Sequence, residues 1–121
     1  MTTSTALTGS QGEAIAAAYL LRSGYRILER NARLGRYEID IVAEDRVRGM
    51  IVFVEVKSRT HFNVAYPIRT AVDRRKRSAL RQAAARWVNL HAYEGAGRTD
   101  VISVADGVVV EHLLNLGADF V

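Results

Sequence analysis

Two rhythms of apolar and polar positions divide this chain into helices and strands. Ser10-Gln-Gly-Glu13 matches a capping box, Ser at the N-cap and Glu at N3, and opens the Ala-rich run Ala14–Leu21 as a helix. Ser23-Gly24 closes it, with glycine as the left-handed stop. Tyr25–Arg30 alternates with period two and predicts a first strand, with Asn31–Arg36 as the turn after it. Tyr37–Ala43 predicts a second strand, Glu44–Gly49 a polar turn, and Met50–Lys57 a third strand. That third strand is the most β-branched and should be the most central.

Ser58–Arg69, which holds the only proline, Pro67, reads as a loop. Thr70-Ala-Val-Asp73 is a capping-type start for a helix to about Leu90, with Trp87 on its apolar stripe. After the flexible, glycine-containing connection Tyr93–Gly97, two short strands near Thr99–Ala105 and Val108–His112 flank the turn Asp106-Gly107. The order α-β-β-β-α-β-β predicts an α/β fold, a central mixed sheet with both helices packed against it. Residues 1–9 read as a flexible tail and residues 10–121 as one domain.

Composition narrows the class. At 121 residues, 49% apolar and 25% charged, the chain has the profile of one globular domain. No apolar run approaches the roughly 20 residues that span a bilayer. The first ten residues lack the basic start and apolar core of a signal peptide. Without cysteine there are no disulfides or thiolate ligands, which suits a cytoplasmic location. The net charge of +4 favours a polyanionic partner, and Arg74-Arg75-Lys76-Arg77 concentrates it. Such a cluster is either a solvated helix face or a phosphate contact.

The chemistry lies in charges set inside apolar strands. Glu38-Ile39-Asp40 and Glu55-Val56-Lys57 place carboxylates and a lysine where burial costs several kcal/mol per group without a partner. Strict alternation would put Glu38 and Asp40 on one face, Ile39 and Ile41 on the other, and Phe53, Glu55, Lys57 and Arg59 together. If the two strands form a hairpin, Asp40 lies beside Glu55 and Lys57. Two adjacent carboxylates repel unless a cation sits between them, and Mg²⁺, with Mn²⁺ as the alternative, suits oxygen ligands. Taken alone, Glu-Val-Lys reads as a cross-strand charge pair; next to Glu-Ile-Asp, inside near-continuous apolar runs, it reads as a site. Glu13 could cap its helix or enter the site, and Arg59 could touch phosphate or a surface carboxylate. Asp100 reads as a turn or cap residue; His61, His91 and His112 read as loop or surface histidines. No phosphate-binding glycine loop, zinc pattern or nucleophile elbow is present.

Gly12-Glu13, Leu20, Gly24–Leu28, Arg30-Asn31, Glu38–Asp40, Val52–Lys57 with Arg59, Ala71-Val72, Lys76, Trp87 and Asp100–Ile102 together resemble the bacterial YraN-like family of endonuclease-like proteins. That family is related in fold to archaeal Holliday-junction resolvases and type II restriction enzymes. The resemblance covers nearly all of the chain beyond residue 10. It implies a restriction-endonuclease-like domain with a PD-(D/E)xK core. Asp40 then matches the motif's aspartate, Glu55 its acidic ligand, Lys57 its lysine, and Glu13 the helix glutamate of the resolvases. Ile39 stands where the name-giving proline would be, Tyr37 where the family has glycine, and Thr99 where an aromatic often precedes Asp100.

The expectation is a Mg²⁺-dependent endonuclease acting on DNA, branched or otherwise structured. Asp40, Glu55 and the Val56 carbonyl would hold the metal with Glu13 in support, and Lys57 would position water. Arg59, Arg74, Arg75, Lys76 and Arg77 would hold the phosphate backbone. The resolvase relationship adds a homodimer as a candidate assembly. Two other readings compete: a nucleic-acid-binding protein that keeps the nuclease fold with little or no activity, and a protein-interaction scaffold with a structural charged hairpin.

Overall fold

A computed structural model describes residues 9–59 and 74–115. Helix α1 (Gly9–Arg22) leads into strands β1 (Arg26–Leu34), β2 (Tyr37–Asp45) and β3 (Met50–Arg59). Helix α2 (Arg74–Leu90) follows, then β4 (Ala96–Ala105) and β5 (Val108–Leu114). The predicted order holds. Gly9, expected to end the tail, opens α1, and the rest of that tail, residues 1–8, lies outside the described residues, as do the loop over 60–69 with Pro67 and His61 and the capping residues 70–73.

The five strands form one sheet in chain order, with β3 at its centre. All neighbours are antiparallel except β3 and β4, which are parallel and have α2 between them in sequence. A parallel pair needs such a crossover. Helices cover the sheet on both faces, so Ile51, Val52, Phe53 and Val54 are all buried. Val52 and Val54 pack with Ala16, Ala17 and Leu20 of α1. Ile51 and Phe53 pack with Leu80, Ala84 and Trp87 of α2. Trp87 meets Phe53 edge-on at 5.5 Å, and its indole N–H donates to Glu29 Oε1 at 3.0 Å.

The ends of α1 separate expectation from outcome. Gly24 takes φ +92°, with Tyr25 N donating to Leu20 O and Gly24 N to Leu21 O, the predicted glycine stop. Ser10, however, lies inside the first turn rather than at its cap. Gly12 is buried under β3: a Cβ there would stand 3.3 Å from Ser58 Cβ and overlap Ser58 Oγ. Its bare backbone lets the start of α1 lie against the strand.

All five strands run further than their sequence suggested: β2 takes Glu44 and Asp45 from the expected turn, β3 takes Ser58 and Arg59 from the expected loop, β5 reaches Leu114, and β1 and β4 extend most. β1 continues through Asn31 to Leu34, because Ala32 and Leu34 are buried in the α2-side core and only Gly35-Arg36 turn the hairpin. β4 starts at Ala96 and buries Arg98, a charge that alternation alone would leave outside. The Asp106-Gly107 turn is as expected, both residues at positive φ, 53° and 79°.

Arg98 is buried because it is fully matched. Its Nη1 donates to Asp45 Oδ2 at 2.7 Å, and its Nε and Nη2 to Asp100 at 2.9 and 3.1 Å. Nη2 also donates to the Tyr25 hydroxyl at 2.9 Å. Asp100 is therefore a buried ion-pair residue, not a turn or cap residue. His112 is no surface histidine either: Nε2 lies 2.8 Å from Asp100 Oδ2 and Nδ1 2.8 Å from the Tyr19 hydroxyl. His91 is exposed as expected, stacked on Trp87 at 3.9 Å.

Burial pushes the Asp45 carboxyl up, but bonds from Arg98 and from the Arg48 backbone and side chain outweigh it and hold it at about 2. A depressed carboxyl stabilises the fold fully above its ordinary value near 3.9 and loses that contribution as pH falls towards 2. Arg98→Met should cost about 3–5 kcal/mol in denaturant melts, because it strands two buried carboxylates. Asp45→Asn should flatten the loss of stability between about pH 4 and pH 2. A wild-type midpoint for Arg98→Met would show that the cluster adds no net stability.

Candidate active site

The site forms where β2 leaves β3. The two strands are paired from Asp45↔Met50 to Ile41↔Val54, and the ladder stops there. β3 continues beside β4 as far as Arg59↔Ala105, and β2 continues beside β1 to Leu34↔Tyr37. A gap opens between them at Asp40. Its carboxylate Oδ2 accepts the Val56 backbone N–H at 2.8 Å, replacing the next rung of the ladder. Because N–H and C=O of one extended residue point to the same side, the Val56 carbonyl also faces this gap.

The strand twists as it parts. Ile39 packs in the α2-side cluster while Ile41 packs in the α1-side cluster. They do not share a face, contrary to strict alternation. Across from Asp40, between the pairs Arg30↔Ile41 and Ala32↔Ile39, Asn31 takes a left-handed φ of 54°. Asparagine is one of the few side chains that accept that backbone readily. Both strands are irregular at the same level, and the irregularity turns Asp40 to the edge of β2.

Four carboxyls interact around the gap: Glu13, Asp40 and Glu55, with the exposed Glu38 raising Asp40 and Glu13 from the rim. Burial, helped by the charges of Asp40 and Glu13 and opposed by those of Lys76 and Lys57, leaves Glu55 pushed up to about 7. Asp40 is also raised, chiefly by burial, against the bond from Val56 N. Glu13 is raised by burial and by Asp40, with which its carboxyl shares a hydrogen bond. Glu13 thus turns into the site instead of back to Ser10. Lys57 is lowered by burial and then by Lys76, whose charge also reaches Glu55 and Asp40.

Acids arranged in this way hold a proton or a cation. Among the described residues, no three acidic or imidazole side chains converge as a ready-made metal cage. The donor set instead fits a hard ion that keeps several waters and takes one or two carboxylates, as Mg²⁺ does. Asp40, Glu55 and the Val56 carbonyl supply only oxygen.

The basic residues do not form one patch. Lys76 follows the helical stripe of Leu80, Ala84 and Trp87, i, i+4, i+8, i+11, and so faces the sheet and the acids. Arg75 lines a groove with Arg36, Tyr37, Ser78 and Gln82, whereas Arg77 lines a different hollow with Thr99, Val101 and Asn115. Arg59, half-buried at the end of β3, acts on Lys57. The Arg74 side chain lies outside the described residues. Reading the run as a block hid the separate role of Lys76, although its spacing from Leu80 and Trp87 carried the signal.

Glu55 has a measurable cost. A carboxyl raised in the folded state destabilises the fold as pH climbs from its ordinary value near 4.3 through 7. In chelator, Glu55→Gln should become more stable than wild type across that interval, as read by thermal melting. Added Mg²⁺ should raise the wild-type midpoint and leave the variant's unchanged. Parallel pH profiles for the two proteins would contradict this picture of the gap.

The model of the uncharacterised protein family UPF0102 matches residues 12–104, which include Glu13, Asp40, Glu55, Lys57 and Lys76. A UPF0102 protein of Trichlorobacter lovleyi is 44% identical over 112 residues, covering 88% of this chain and 87% of its own. One from Moorella thermoacetica is 46% identical over 97 residues, 79% of this chain and 78% of its own. One from Chlorobaculum parvum is 41% identical over 103 residues, 85% and 78% respectively.

Proposed function

Since the chain belongs to the uncharacterised protein family UPF0102, the YraN family its motifs resemble, we propose that the acidic gap makes it a metal-dependent endonuclease. The substrate is a phosphodiester bond of DNA, branched or otherwise structured. The observation that carries this reading is the Asp40–Val56 bond, which keeps a carboxylate in the gap beside Glu55 with Lys57 one position beyond Val56. A purely structural hairpin would continue its ladder and spare the cost of a Glu55 raised to about 7.

In this reading Asp40, Glu55 and the Val56 carbonyl hold Mg²⁺ or Mn²⁺, and Glu13 orients Asp40 through their shared hydrogen bond. The bound cation supplies charge to the phosphoryl oxygens and makes water more acidic. Lys57 donates a hydrogen bond to the attacking water and offsets the negative charge that grows on phosphorus-bound oxygen. Lys76, facing the same acids from α2, adds positive charge there. Lys57 is the better of the two to handle a proton, because burial and Lys76 lower its pKa.

Labelled linear, nicked, flapped and four-way DNA, incubated with each divalent metal, tests the assignment. Asp40→Asn and Lys57→Ala should each lower cleavage by about 10²–10³-fold or more, with the fold intact by circular dichroism and most DNA binding retained. Cleavage untouched by both substitutions would remove the mechanism. A wild type that binds DNA salt-dependently but cuts no substrate with any metal would be a non-catalytic nucleic-acid-binding protein.

A further inference from the structure

Outside the acidic gap, the most organised surface lies where the β1–β2 turn meets α2. Tyr37 stands there with a guanidinium at its ring on either side in sequence: Arg36 Cζ lies 5.3 Å and Arg86 Cζ 5.0 Å from the ring centre. The Tyr37 hydroxyl donates to Gln82 Oε1 at 2.7 Å and accepts from Arg36 Nη2 at 3.3 Å. Arg75 shares the groove on one side of this stack, and Arg33, Asn89 and Gly35 line the hollow on the other. Arg86 joins the two, for its Nη1 also reaches over Gly35.

Among the described residues, none of Arg33, Arg36, Arg75 and Arg86 makes an ion pair with a carboxylate, and no acid lines either hollow. Arg33 has Glu38 across the ladder from it, whereas like charges gathered around the ring repel one another, and an anion placed among them relieves that repulsion. A band of arginines around an aromatic ring combines phosphate contacts with a stacking platform, the pairing that single-stranded nucleic acid uses. A rigid duplex has no unpaired base for the stack. The band is also placed for the chemistry: Tyr37 precedes Asp40 by three residues, roughly 10 Å along β2 at about 3.3 Å per residue.

We propose that Arg36, Tyr37 and Arg86 form a clamp for an unpaired nucleic-acid segment. Arginines take its phosphates and the Tyr37–guanidinium stack takes a base, so the substrate carries single-stranded character next to the bond presented to the gap. The inference rests on the nuclease reading for its substrate, and deepens it by naming the strand form.

Binding is read by fluorescence anisotropy in chelator, with Asp40→Asn as the background so that no strand is cut. The probes are a labelled oligothymidine, its RNA counterpart and a blunt duplex of equal length. Adding Tyr37→Leu should weaken oligothymidine binding by about 5-fold or more, and duplex binding by less than about 2-fold. Tyr37→Phe should keep the single-strand affinity. Arg36→Gln with Arg86→Gln should lower the log–log salt slope for the single strand by about 1.4, two phosphate contacts at about 0.7 each. The RNA probe separates the two sources of the same chemistry.

Equal losses on both DNA probes, or no loss, would overturn the clamp, and should Tyr37→Leu not fold, the arginine pair decides by its slope. Polyglutamate competing as well as oligothymidine would assign the band to an acidic protein and overturn the proposal. Wild-type cleavage with an unaffected Tyr37→Leu would sink the clamp alone. Single-strand loss in a wild type that never cleaves would sink the nuclease reading alone.

Discussion

The hydrogen bond from Val56 N–H to the Asp40 carboxylate is the hinge of this molecule. A backbone donor at the edge of a parted ladder must find an acceptor, since an unmade bond there costs about 1–3 kcal/mol. Here a side chain takes the place of the departed strand. The substitution has two consequences at once. It fixes a carboxylate at the sheet's opening, and it leaves the Val56 carbonyl directed at the same space. Glu55 and Lys57 then flank that space by the simple geometry of a strand.

The surrounding fold makes this opening the natural place for charge. Helices cover both faces of the sheet, so the middle of β3 can carry only apolar residues. Polar chemistry is confined to the end, where β2 has bent away. The other buried charges are held in a closed set, Arg98 between Asp45 and Asp100 with His112 behind. That set is satisfied internally. The acids at the gap are not: burial and their mutual repulsion leave Glu55 pushed up to about 7, and the proposed metal site draws on that difference from the closed cluster.

Much of this was legible in the residues. Element order, the central place of β3, the glycine stop at Gly24 and the Asp106-Gly107 hairpin all follow from local rules of period and turn chemistry. What was hidden depends on contacts between distant segments. Arg98 and Asp100 look like surface residues until Asp45, fifty-three positions before Arg98, is folded beside them. The change of face between Ile39 and Ile41 breaks the period on which strand reading rests, and Asn31 across from Asp40 gave the only local hint of it. The Ser10–Glu13 spacing also fitted a cap, and only the hydrogen bond with Asp40, far along the chain, turns Glu13 into the gap.

The proposed function requires the gap to hold a divalent ion between Asp40 and Glu55. Crystals grown with Mn²⁺ and measured for anomalous scattering address that directly. One peak within ligand distance of both carboxylates and of the Val56 carbonyl, absent from Asp40→Asn crystals, is the predicted result. A well-ordered gap without such a peak at saturating Mn²⁺, or a Lys57 or Lys76 ammonium seated between the two carboxylates instead, would contradict it.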